Sequence, residues 1–216
     1  MQQRPKIWDG FIRLFHWSLV GLIAGMWWTA EEGHLDWHLR LGLVLLGLLA
    51  TRILWGGWGS ESARFARFLK APQQAWLHLR ELLRGRPTPA TSHNAAGGWF
   101  VMVLLTLLLT QGVTGLFATD DIFFDGPLHD VVSSDVSEVL TDIHKTLIEV
   151  IWIAIAVHIV AILLYKWRGR PLTQAMLSGK RREALQANEE APKLVHGGWG
   201  IGLSVLIILL LYWWLA

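Results

Sequence analysis

The chain has 216 residues, a formal net charge of +2, 53% hydrophobic and only 17% charged residues, and no cysteine. A charged share below the usual quarter or so excludes an ordinary soluble domain and points to an integral membrane protein, with lipid as its first partner and no nucleic acid. The lack of cysteine excludes disulfides, iron–sulfur ligation and covalent CxxCH haem attachment.

Residues 1–9 are polar and basic, with Arg4 and Lys6. A first span is expected over about 10–30. It has no small-residue cleavage site and carries His16, so it reads as a span rather than a signal peptide. Arg13 lies one turn before His16. Gly21 and Gly25 would let another helix approach closely. After a short acidic turn holding His34, a second span is expected over about 37–54, with His38 and Arg40 near its start and Arg52 near its end.

The long connection at 56–92 contains an amphipathic stretch, Pro72 to Arg84, expected to lie as a helix on the membrane surface with His78 solvated. The third span, about 95–117, has Ser92 or Asn94 as its N-cap and Gly97 and Gly98 for close packing. Residues 118–141 form an acidic loop with no lysine or arginine, in which Asp130 to Leu140 could be a short surface helix. The fourth span, about 142–166, is followed by a basic stretch. The fifth, about 199–216, is apolar throughout and has no histidine, which leaves it packing or docking work. Many of the 14 tryptophans stand near the ends of apolar runs, as an interfacial belt requires.

The fourth span carries His144 and His158, 14 positions apart. At about 100° and about 1.5 Å per residue, these rings share one helix face to within roughly 40° and stand roughly 21 Å apart along the axis. One helix therefore presents an imidazole near each edge of a hydrocarbon layer about 30 Å thick. Neutral imidazole is a metal ligand and a ligand of haem iron; the alternative is hydrogen bonding to neighbouring helices.

All basic residues except Arg40 and Lys145 lie in or beside the N-terminus and the second and fourth connections. The positive-inside rule then makes the N-terminus cytoplasmic and, with five spans, the C-terminus periplasmic. That orientation matches depths: His16 with His158 in the inner half, and His38 with His144 in the outer half. Each pair could supply both axial ligands of a b haem held within a four-helix bundle. Arg40 and Lys145 suit the propionates of the outer haem, and Arg13 and Arg52 those of the inner one, unless they serve only as interfacial anchors. His34 is a rival to His38. His93 could be a cap, a ligand or a proton carrier; His129 could meet a partner or a quinone but reads rather as solvent-exposed; His196 shows no pairing.

These residues resemble a family. RLFHW around His16, HLRLG from His38 to Gly42, SHNAAGGW around His93, the two histidines of the fourth span and LSGKRRE from Leu177 to Glu183 are similar to the bacterial cytochrome b561 / nickel–iron hydrogenase cytochrome b family. The resemblance covers roughly residues 6–183, and Ala95 stands where the family's HNPxGG pattern usually has proline. It implies an all-α membrane fold: a cytochrome b561-type domain over 1–183 and a linker with a fifth helix over 184–216. It also implies His16, His38, His144 and His158 as axial ligands of one or two b haems. All four positions being histidine favours two.

The implied function is electron transfer in the bacterial inner membrane, between the quinone pool and a redox protein that is often periplasmic, such as a c-type cytochrome or a hydrogenase. A second reading is a stand-alone superoxide:quinone oxidoreductase with Lys145 guiding the anion. A third is a haem-free anchor subunit. The small-residue pairs and the spare fifth helix permit a homodimer.

Overall fold

A computed structural model describes residues 5–85, 93–181 and 190–215. Arg4, Ser92, Arg182 and residues 184–189 of the predicted linker lie outside these. Among the described residues every regular element is helical. In chain order they are α1 (Gly10–Glu31), α2 (Leu35–Trp58), α3 (Phe65–Phe68), α4 (Pro72–Leu83), α5 (Ala95–Gly115), α6 (Ser134–Trp167), α7 (Thr173–Ser178) and α8 (Gly197–Leu215), with one 3-10 turn at His129–Val131. Helices α1, α2, α5, α6 and α8 are long and apolar enough to cross a membrane.

The starts and stops follow local chemistry. Asp9, almost fully buried, caps α1 by accepting from the Ile12 N–H at 2.8 Å. Asn94 caps α5 by accepting from the Gly97 N–H at 2.7 Å, the role expected for it. Gly33, at φ +73°, closes α1, while the His34 N–H returns to the Thr29 carbonyl at 2.8 Å.

The acidic loop differs from the expectation. No separate helix covers 130–140; α6 is one helix of 34 residues beginning at Ser134. Its extra-membrane turns are sewn to the loop. The Ser137 hydroxyl donates to the Phe117 carbonyl at 2.7 Å, and the Thr119 N–H donates to the Thr141 hydroxyl at 3.1 Å. At about 1.5 Å per residue α6 is about 51 Å long, well beyond a hydrocarbon layer of about 30 Å. The loop is also ordered rather than merely solvated. The Asp120 carboxylate accepts from the N–H groups of Ile122, Phe123 and Phe124, which holds its pKa below the ordinary carboxylate value.

The chain forms two units: residues 1–14, 52–103 and 155–201, and residues 15–51, 104–154 and 202–216. In the first, the N-terminal strand-like residues and the α7 end pair: the Ile7 N–H donates to the Gly179 carbonyl at 2.8 Å and the Arg181 N–H to the Pro5 carbonyl at 3.0 Å. Helix α8 meets α1 through small residues; a Cβ on Gly197 would stand 2.5 Å from the Phe11 nitrogen. Helix α4 presents His78 and Leu82 inward and leaves Trp76 and Leu83 exposed.

The predicted solvated His78 is therefore corrected: it is buried, and its Nε2 lies 2.7 Å from the Tyr165 hydroxyl. The Asn94 side-chain amide donates to the same hydroxyl at 2.8 Å, so the hydroxyl proton is directed to His78. Burial first, and the Arg170 charge second, lower the pKa of His78 and favour this neutral acceptor form. A helical wheel shows which residues share a face, but not that a buried tyrosine needs an imidazole.

In the second unit α2 is the most enclosed element, with Leu43, Leu45 and Leu49 fully buried. Close approach depends on glycine. A Cβ on Gly25 would stand 3.2 Å from Leu41, one on Gly112 2.6 Å from Leu46, and one on Gly47 2.4 Å from Ile208 of α8. In membranes such small-residue contacts bring helices together where hydrophobic driving force is absent. Gly25 is used inside the chain, while no atom of the described residues lies within 4 Å of where a Cβ on Gly21 would stand.

Candidate functional site

Within the second unit, the His38 and His144 rings lie 6.1 Å apart between centroids and nearly perpendicular. Each is fixed by a backbone carbonyl. His38 Nδ1 is 2.8 Å from the Met26 carbonyl, and His144 Nδ1 is 2.9 Å from the Gln111 carbonyl. A carbonyl can only accept, so each Nδ1 carries the proton and each Nε2 keeps its lone pair. That is how a metal-binding histidine is usually oriented, with the far nitrogen donating to a carbonyl and the near one left to the metal. Two iron–nitrogen bonds of about 2 Å plus the ring radii need roughly 6 Å between centroids, so the donor set fits a haem iron.

The surroundings fit as well. A Cβ on Gly115 would stand 2.7 Å from His144 Cε1, so only glycine leaves that ring its place. Gly42, one turn beyond His38, has no atom of the described residues within 4 Å of where its Cβ would stand. His34, the rival to His38, is exposed and packs against Trp28 instead. No cluster of three or more metal-ligating side chains occurs among the described residues; a two-histidine site needs none.

His16 lies in the second unit and His158 in the first. His16 is half-buried beside Trp17, with ring centroids 5.1 Å apart. His158 is half-buried and stacked on Phe100, 5.7 Å between centroids and 6° from parallel.

The basic residues separate into two kinds. Arg40 and Lys145 are exposed, and the Arg40 guanidinium lies over the Trp37 ring. The Arg40 carbonyl accepts from the Tyr212 hydroxyl of α8 at 2.7 Å. Arg13 donates through Nη2 to the Leu177 carbonyl. Arg52 is buried, its guanidinium 4.9 Å from the Phe65 ring centroid and within electrostatic reach of Asp9.

The remaining histidines are better placed by the structure than by the sequence. His93 packs against Trp8 and Phe68 at 4.7 Å and 4.5 Å between centroids. His129 is not simply solvent-exposed but sits beside Asp130 at 3.0 Å and Asp125 at 3.9 Å. His196, predicted without a partner, accepts from the Gly198 N–H at 3.2 Å at the start of α8. Sequence reasoning missed Met26 and Gln111, because backbone carbonyls leave no residue-type signal. Gln111 alone carried a hint, as a polar residue one turn before Gly115.

Apolar spanning helices that enclose a pair of tautomer-fixed imidazoles define a membrane b-type cytochrome. The chain belongs to the prokaryotic cytochrome b561 family, whose model matches residues 7–179. Membership in this family implies electron transfer in the membrane and binding of haem b. Comparisons with curated proteins and with solved structures find no match.

Proposed function

We propose that the chain is a di-haem relay, with His38 and His144 holding one haem b and His16 and His158 the other. The observation that carries this is the His38–His144 pair, with both Nδ1 protons committed to carbonyls and the rings 6.1 Å apart. The distribution of basic residues supports an N-terminus in the cytoplasm of a bacterium and a His38–His144 pair toward the periplasm.

A bound haem supplies one-electron transfer. The chain's own residues set the conditions for it. The Met26 and Gln111 carbonyls hold both ligand rings in one tautomer and raise their basicity. Leu43, Leu45 and Leu49 exclude water along α2. Arg40 and Lys145, exposed near the ends of that pair, are cations available to propionates, and Arg13 and Arg52 are the corresponding residues for the other haem. Electrons exchange with membrane quinone on one side of the relay and with a periplasmic redox protein on the other. The carboxylates of 118–141 favour a basic partner such as a c-type cytochrome.

The test is the haem content of the purified chain. Two haems per chain are expected, with His144→Ala and His158→Ala each removing one and retaining the other. One haem in the unaltered chain would refute the relay.

A second reading rests on Lys145, an exposed cation next to His144. It makes the chain a superoxide:quinone oxidoreductase, with Lys145 steering the anion. Turnover of superoxide by the purified chain without any protein partner, reduced at Lys145→Glu, would favour it.

A further inference from the structure

The connection between α5 and α6 doubles back toward the membrane. Residues 146–165 of α6 carry a single charged side chain, Glu149. At about 1.5 Å per residue they fill a hydrocarbon layer about 30 Å thick. The headgroup layer adds roughly 5–8 Å on each side. Thr141 stands about 8 Å outside the hydrocarbon edge, and Ser137 one turn further out. The Ser137 hydroxyl donates to the Phe117 carbonyl at 2.7 Å; two residues on, the Thr119 N–H donates to the Thr141 hydroxyl at 3.1 Å. Between Phe117 and Thr119 the chain has therefore dropped about 6 Å along α6, toward the lipid.

The descent leads into a turn whose amides are all spent. The Asp120 N–H donates to the Phe124 carbonyl at 3.0 Å, and the Asp121 N–H to the Thr119 hydroxyl at 2.9 Å. The N–H groups of Ile122, Phe123 and Phe124 donate to the Asp120 carboxylate at 3.0, 2.8 and 2.8 Å. Asp121 takes the left-handed conformation, φ +62°, that turns the chain. The return leg pairs with the descending one, the Gly126 N–H on the Ala118 carbonyl and the Leu128 N–H on the Leu116 carbonyl, each at 2.8 Å. At about 3.3 Å per extended residue the tip lies about 6 Å beyond Thr119, close to the hydrocarbon edge. Its side chains are apolar and bare: Ile122 is 75% and Phe123 92% exposed.

We infer that Ile122 and Phe123 form an anchor that enters the membrane at the boundary between headgroups and acyl chains. Depth puts the tip there, and two large apolar side chains gain by leaving water. With the amides of 120–124 satisfied inside the turn, its entry leaves no backbone donor unpaired. Asp121 and Asp125 flank the tip, and residues 118–141 hold no lysine or arginine. The lipid it meets therefore has a zwitterionic headgroup rather than an anionic one. A soluble partner meets this loop from the opposite, water-facing side.

The test uses the haem-loaded, full-length chain in phosphatidylcholine nanodiscs. The chain has no cysteine, so Phe123→Cys and Val131→Cys each introduce a unique thiol. Val131 is 72% exposed in the same loop but lies three residues before the outer end of α6. A charged, membrane-impermeant maleimide should modify Phe123→Cys at least about tenfold more slowly than Val131→Cys, because a thiol drawn out of water loses its reactive thiolate form. Equal rates would overturn the inference. A phosphatidylcholine with a photoactivatable diazirine near the head of its acyl chain should, in the unaltered chain, leave adducts on residues 119–125 that mass spectrometry locates. Slow modification with no lipid adduct on that stretch would mean that protein, a second copy of the chain, covers the tip, and would also overturn it.

Discussion

His144 and Gln111 grip each other twice. The His144 Nδ1–H donates to the Gln111 carbonyl at 2.9 Å, and the Gln111 side-chain amide donates back to the His144 carbonyl at 3.0 Å. The His144 ring, a proposed ligand, and the backbone that carries it are thus both referred to one residue of a neighbouring helix.

Gln111→Leu removes only the return bond, because the backbone carbonyl stays. The haem at His38–His144 should be retained at near-full occupancy, with a shifted midpoint potential that a redox titration resolves from an unaltered second haem. An unchanged potential would show that the side chain has no hold on the ligand.

Gly115→Ala should be far more damaging. Its Cβ would intrude to 2.7 Å from His144 Cε1 and 3.0 Å from Nδ1. Losing the ring's place costs the haem at that pair and leaves the other, read as a halved haem-to-protein ratio with the helical circular dichroism preserved.

Tyr165→Phe leaves His78 without its donor and Asn94 without its acceptor, both in a buried setting. Orphaned buried polar groups cost about 1–3 kcal/mol each. A lowered melting midpoint is expected, with haem spectra unchanged at low temperature. Replacing His78 with phenylalanine on top of Tyr165→Phe should recover part of the loss.

The pH dependence centres on His93, whose pKa falls from an ordinary 6.5 to about 3 through burial first and the Arg52 charge second. The unfolded chain binds a proton below about 6.5 that the folded chain refuses until about 3. Stability is therefore full above the unfolded value, falls as the pH drops through this window, and loses on the order of a few kcal/mol in all. Melting curves between pH 7 and pH 4 should show this slope, and His93→Gln should flatten it relative to the unaltered chain.

Much of this molecule was legible because its signals are long-range in composition and short-range in pattern. Five apolar runs gave five helices long and apolar enough to cross a membrane, and His144 and His158 both lie on α6. Depth in the apolar run decided which ring meets His144: His38 does, and His34 is exposed beside Trp28. What stayed hidden depended on contacts between distant segments. Ser137 and Thr141 stitch the acidic loop to α6 and erase a helix break that composition suggested. His78 looked solvated because its partner, Tyr165, is 87 positions away. The carbonyls of Met26 and Gln111 could not be read at all, since every residue has one.

The fifth helix lies beyond the stretch that matches the family, yet it is wired to the end of α2 that carries His38. Ile208 is seated against Gly47, and the Tyr212 hydroxyl clasps the carbonyl of Arg40, two positions from His38. A helix without a histidine thereby acts as a splint for the helix that carries His38. Trimming it would leave every histidine in the chain and still loosen the footing of one.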